Sequence, residues 1–104
     1  MTDKRTRTYP LPKVKELIEK NQIIDPSPNV RQGAMEMGFS VYEAYQEILK
    51  LEPSHLYKST TEINNNKVWQ DVYKKKIKGI CVYIKFKVFE DHFLLTSFKP
   101  DEKS

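Results

Sequence analysis

The sequence predicts an α+β fold in which N-terminal helices pack on a C-terminal antiparallel β-sheet. Apolar residues recur at helical spacing before Glu52 and at a spacing of two after His55. The expected strands follow one another through short connections, which favours antiparallel pairing, and helices-then-strands is the order of an α+β fold. With 104 residues, a single domain over residues 1–104 with one modest core is the expected organisation.

Residues 1–10 are polar, close on Pro10 and Pro12, and are expected to fray, as are residues 100–104. From Leu11 the pattern is helical: Val14, Leu17 and Ile18 align on one face, with Lys13, Lys15, Glu16, Glu19 and Lys20 outside. Asn21 is the expected stop. Ile23 and Ile24 read as a short extended piece, and Asp25-Pro26-Ser27-Pro28 as a turn, because each proline bars helix in its predecessor. A second short helix is predicted over Asn29 to Met37, with Gly38 as its left-handed cap. Ser40-Val41-Tyr42-Glu43 is a capping box that opens a third helix. Val41, Ala44, Tyr45 and Ile48 form its inner stripe, Lys50 suits the negative end of its dipole, and Glu52-Pro53-Ser54 ends it.

The strands come next. Leu56–Thr61 is the first, and Asn64-Asn65-Asn66 is a loop of residues that tolerate positive φ. Val68–Lys75 is the second, and Gly79 marks the bend into Ile80–Phe89. That third strand puts Ile80, Val82, Ile84, Phe86 and Val88 on one face and Cys81, Tyr83, Lys85, Lys87 and Phe89 on the other. Glu90-Asp91-His92 turns the chain into Phe93–Lys99, which Pro100 stops.

Charge is segregated along the chain. Residues 1–52 hold eight basic and eight acidic side chains, so the net charge of +4 comes from the second half. The stretch Leu56–Lys99 carries nine lysines against four acids, interleaved with tyrosines and the single tryptophan. Positive charge among aromatic rings on a sheet suits a polyanion with unstacked bases. The plainer reading is that Lys85 and Lys87 keep one face soluble and that Lys74, Lys75, Lys76 and Lys78 protect a sheet edge.

Several chemistries are disfavoured. No apolar run approaches the ~20 residues of a membrane span, and the first residues lack the apolar stretch of a signal peptide, so a cytoplasmic, membrane-free protein is expected. Cys81 is alone, so no internal disulfide forms, and no Cys/His cluster has zinc spacing, so no metal site is expected. His55 precedes a strand and His92 sits in a turn, positions of solvated loop residues rather than of acid–base catalysts. Composition stops at a basic α+β domain suited to nucleic acid.

Four segments carry a resemblance: Tyr57-Lys58-Ser59, Trp69-Gln70-Asp71-Val72-Tyr73, Gly79 with Val82-Tyr83-Ile84-Lys85, and Ser97-Phe98-Lys99. Together they resemble the motility quorum-sensing regulator (MqsR) toxins over Tyr57–Lys99, and more loosely over Pro12–Asn21. The resemblance implies a fold akin to the RelE toxins and microbial ribonucleases. It implies a ribosome-independent messenger-RNA endonuclease of a type II toxin–antitoxin system, working without metal or other cofactor. The implied partners are mRNA and a cognate antitoxin, a zinc- and DNA-binding, MqsA-like protein through whose complex alone DNA is met. Carried over by position, Lys58, Gln70 and Tyr83 fall on catalytic residues and Lys99 on a lysine that supports toxicity, while Lys85 and Lys99 are expected to hold flanking phosphates. The run Lys74–Lys76 and the segment Asp25–Phe39 depart from the family pattern.

The implied chemistry suits these residue types. RNA supplies its own nucleophile, the 2′-hydroxyl, so the protein has to align it with phosphorus and stabilise the extra charge of the phosphorane. Lys58 takes that electrostatic role and a share in proton transfer. Tyr83 orients the phosphate or passes a proton, as a phenol eased toward ionisation by lysines. Gln70 hydrogen-bonds a phosphate or base edge. The alternative is a non-catalytic RNA- or protein-binding module on the same fold.

Overall fold

In the computed structural model, which describes residues 1–101, three helices cover one face of a five-stranded antiparallel sheet. The helices are α1 (Leu11–Glu19), α2 (Pro28–Glu36) and α3 (Val41–Ile48). The strands are β1 (Asp3–Lys4), β2 (Leu56–Glu62), β3 (Asn65–Ile77), β4 (Ile80–Phe89) and β5 (His92–Pro100), paired in that order. The α+β expectation holds.

The helices form where their end signals stand. Asn21 takes a left-handed φ of 58° and stops α1, whose Leu11, Val14, Leu17 and Ile18 are buried. The Ser27 hydroxyl accepts the Val30 N–H at the start of α2. At α3 the Ser40 N–H donates to Glu43 Oε1 at 2.9 Å and the Glu43 N–H to Ser40 Oγ at 3.1 Å, so the capping box is complete. Ile23 bridges in parallel to Phe93, which bears out the short extended piece. Helix α2 lies so close to β5 that a Cβ on Gly33 would come within 2.8 Å of the Phe98 carbonyl oxygen.

Two hairpins turn in two residues, both at positive φ: Lys78-Gly79 between β3 and β4, and Glu90-Asp91 between β4 and β5. Such turns match the right-handed twist of their strands and fix the register. Pairing therefore extends further than the sequence suggests, with β3 running from Asn65 to Ile77. The covered face buries Tyr73, Val82, Ile84, Phe86, Phe93, Leu95 and Phe98. Tyr73 stacks on Phe86 at 5.5 Å between ring centroids, and Phe98 meets Phe39 edge-on at 5.7 Å.

Residues 1–10 correct the expectation of fraying. Asp3 and Lys4 pair with Thr60 and Ser59 as an edge strand. Farther along, the buried Asp71 carboxylate accepts the backbone N–H of Thr8 at 2.9 Å and of Tyr9 at 2.8 Å. The Tyr9 hydroxyl donates to the Trp69 carbonyl at 2.7 Å. Charge-assisted bonds to a carboxylate out of water are strong, and they tie the segment down. Asp101 also continues the ladder, its N–H donating to the Cys81 carbonyl at 2.8 Å. The rest of the expected C-terminal fraying, residues 102–104, lies outside the described residues.

Candidate active site

The helix-free face of the sheet carries the lysines. Register lines up Lys58, Val72, Lys85 and Ser97 in one row across β2 to β5, and Lys74, Tyr83 and Lys99 in the next across β3 to β5. Val72 is fully buried on this face, between Lys58 and Lys85 on its neighbours. Aliphatic lysine stems can cover an apolar floor while their ammonium groups stay wet.

A cavity of about 290 Å³ opens over these rows, walled by Lys58, Tyr83, Lys99, Tyr57, Lys74 and the Pro100-Asp101 end of β5. Three of the residues singled out from sequence, Lys58, Tyr83 and Lys99, thus meet in one place. A β-bulge brings the fourth side chain. Leu56 pairs with Tyr73 but Lys58 pairs with Val72, so Tyr57 is the extra residue and turns to the same side as Lys58. The Lys74 ammonium lies 3.9 Å from the Tyr57 ring centroid, and the Lys99 ammonium 5.6 Å from that of Tyr83. Such ammonium–ring contacts hold long side chains in place.

Two carboxylates balance the charge. Lys58 Nζ is 3.0 Å from Asp3 Oδ2, and Lys74 Nζ is 3.0 Å from Asp101 Oδ2. The hydrogen bond to Asp101 raises the Lys74 pKa and keeps the amine protonated. The expectation that lysines ease Tyr83 toward ionisation is corrected. Lys58 and Lys74 do lower its pKa, but burial, the largest cause, together with Tyr57 and Asp101 leaves it raised, which favours the protonated phenol. Lys85 moves the other way: burial first, then the charges of Lys99 and Lys58, lower its pKa.

Lys85 and Gln70 stand beside this cavity rather than in it. Both line an adjoining hollow of about 270 Å³ near the β2–β3 turn. The Gln70 amide is already engaged: its NH₂ donates to Glu62 Oε2 at 3.0 Å, and its oxygen accepts from the Thr96 hydroxyl. Lys87 shares the same Glu62 oxygen at 2.7 Å. The network braces the wall next to Lys85, whose carbonyl also meets the Thr96 hydroxyl at 3.1 Å.

Sequence reasoning missed Tyr57, Asp101 and the place of Lys74. Lys74 protects no edge, because β3 lies third in a sheet of five. Its alternation with Val72 and Gln70 was the available signal, whereas no residue pattern announced the bulge. The histidines lie outside the cavity: His55 Nδ1 accepts the Glu52 N–H at 3.0 Å and His92 sits at a hairpin end. Among the described residues no group of three metal-ligating side chains occurs, and no helix is long and apolar enough to cross a membrane.

Residues 6–100 match the family described as motility quorum-sensing regulator, toxin of MqsA. The chain is also 33% identical over 97 residues to the mRNA interferase toxin MqsR of Escherichia coli strain K12, an overlap of 93% of this chain and 97% of that protein. The chain belongs to the motility quorum-sensing regulator family of toxins.

Proposed function

We propose that the protein is a ribosome-independent endoribonuclease that cuts single-stranded mRNA by attack of a ribose 2′-hydroxyl on the adjacent phosphorus. One observation carries this reading: Lys58, Tyr83 and Lys99 share a single open cavity with Lys74 and Tyr57. Three ammonium groups around one hollow offer the charge that a phosphorane needs, and the exposed Tyr57 ring offers a platform for an unstacked base.

Roles follow from the surroundings of each group. Lys58 and Lys99 hold non-bridging oxygens of the scissile phosphate, with Lys74 behind Tyr57. Tyr83, kept protonated by burial, gives its proton to the 5′-oxygen as the P–O5′ bond breaks, and the proton released by the attacking 2′-hydroxyl, carried by a non-bridging phosphate oxygen, replaces it. Lys85 holds a flanking phosphate, and burial loosens its proton. Gln70 acts through its braces to Glu62 and Thr96, which hold the strand under Lys85. Three ammonium groups around the single carboxylate of Asp101 make a poor nest for a cation, and the reaction runs on side chains alone. A cognate antitoxin of the MqsA kind, itself zinc- and DNA-binding, neutralises the toxin in the cytoplasm.

The test is cleavage of a single-stranded RNA by purified protein and by Lys58→Ala and Tyr83→Phe. Each variant should cut at least about a hundredfold more slowly, with thermal unfolding close to that of the parent. Undiminished cutting by both variants would remove the assignment. RNA binding without any cutting by the parent would favour a non-catalytic binding module.

A further inference from the structure

A second cavity, of about 570 Å³, lies at the start of β2, where Arg5, Arg7, Leu11, Pro12, Leu56 and Tyr73 form most of its wall. Tyr73 is fully buried, yet its hydroxyl has no hydrogen-bond partner among the described residues. A buried donor left unpaired costs about 1–3 kcal/mol, so it marks a place where an acceptor is missing. The Asp71 carboxylate and, to a smaller extent, the Arg7 guanidinium are near enough to influence the ionisation of that hydroxyl, and Tyr73 lines the cavity together with Arg7.

The charged side chains in the cavity wall favour an anion. Arg5 and Arg7 supply two guanidinium groups with forked donors suited to phosphate. Leu11 and Pro12, which also line the cavity, begin α1, and the N-terminus of that helix has no side-chain cap. One carboxylate, Asp71, is close enough to act on Tyr73, but its oxygens are taken by the Thr8 and Tyr9 N–H groups.

The cavity also adjoins the active site. Leu56 lines one and Tyr57 the other, in consecutive positions on β2. Arg5 spans the two, donating to the Tyr57 carbonyl at 3.3 Å with its guanidinium 5.6 Å from the Tyr57 ring centroid. We infer that this cavity is a second phosphate site, which takes a backbone phosphate of the RNA strand beyond the scissile step. The inference rests on the RNA-cleaving reading. The Tyr73 hydroxyl and Arg7 grip one phosphate, Arg5 guides the strand around the edge of β2, and the substrate class becomes RNA longer than a dinucleotide.

The experiment compares cleavage of a dinucleotide with that of a single strand of roughly twelve nucleotides, in parent, Tyr73→Phe and Arg7→Gln. The ratio of kcat/KM for the long RNA to that for the dinucleotide should fall about tenfold in each variant. In Arg7→Gln the slope of log affinity against log salt should shrink by about 0.7. Parent ratios and parent salt slopes in both variants would overturn the inference. Inorganic phosphate supplies a readout that needs no cleavage. At matched ionic strength it should raise the Tm of the parent, and about half of that rise should be missing in Arg7→Gln. If the parent cuts neither RNA, the endonuclease reading fails, whereas a phosphate-induced rise that is absent in the parent or undiminished in Arg7→Gln defeats the site itself.

Discussion

The Asp3 carboxylate lies 3.0 Å from the Lys58 ammonium, so an N-terminal edge strand of two residues reaches into the proposed active site. Lys74 and Asp101 repeat the arrangement from the other end of the chain, also at 3.0 Å. Each carboxylate occupies a lysine that a phosphate oxygen would otherwise hold. Substrate has to displace them, and Asp3, with its side chain 48% exposed against 9% for Asp101, is the easier of the two to displace. Asp3→Asn is therefore predicted to lower KM for RNA roughly two- to fivefold at low salt, with the gain fading as salt screens the pair. Steady-state kinetics at low and high salt check this, and an unchanged or raised KM at low salt would count against it.

Two groups of the site respond to pH in opposite senses. Burial, with Lys99 and Lys58, lowers the Lys85 pKa, while burial raises that of Tyr83. As pH climbs, Lys85 is predicted to lose its charge earlier than an ordinary lysine would, and KM to rise with that loss. In Lys85→Gln, KM is high from the start and that early rise is absent. A pH profile of KM for parent and variant decides it.

Tyr73 makes alkaline stability steep. Burial, then the Asp71 charge, push its pKa to about 12 from the ordinary 10.0. The folded chain keeps a proton that the unfolded chain releases between these values. The resulting stability is full below pH 10 and drains away toward pH 12. The slope is about 1.4 kcal/mol per pH unit, or about 3 kcal/mol over the window. Tyr73→Phe is predicted to flatten that part of the curve and, by deleting an unpaired hydroxyl, to cost no stability at neutral pH. Urea unfolding at a series of pH values measures both effects.

Asp71 anchors the segment that carries Asp3, Arg5 and Arg7. Replacing it with Asn removes the charge and an acceptor from the Thr8 and Tyr9 N–H groups. A loss of about 2–4 kcal/mol is predicted, together with new proteolytic cuts near residues 5–9. An Asp71→Asn protein as stable and as protease-resistant as the parent would show that the anchor matters little.

How far the sequence disclosed all this depended on the range of each signal. The Ser40–Glu43 capping box, the Gly38 cap and the alternation of β4 are local, and each stands where it was expected. The meeting of Lys58, Tyr83 and Lys99 was legible only through family resemblance, because three strands separated in sequence bring them together. Tyr57 was invisible for a different reason: a bulge is a mismatch between two strands, and neither strand declares it alone. Asp71 stood in the sequence only as one acid of a recognisable motif. Its partners are backbone N–H groups 62 and 63 residues away, and no side-chain pattern encodes them. The same long-range tie turned a segment expected to fray into part of the site.

The chemistry of the product ends tests the central claim most directly. Purified protein, in the presence of a metal chelator, should cut a single-stranded RNA to give a 2′,3′-cyclic phosphate on one fragment and a 5′-hydroxyl on the other, as read by mass spectrometry. The same strand carrying a single 2′-deoxyribose at the cleavage site should bind but remain whole there. Fragments ending in a 3′-hydroxyl and a 5′-phosphate, or cutting of the deoxy-substituted strand at that site, would contradict the account.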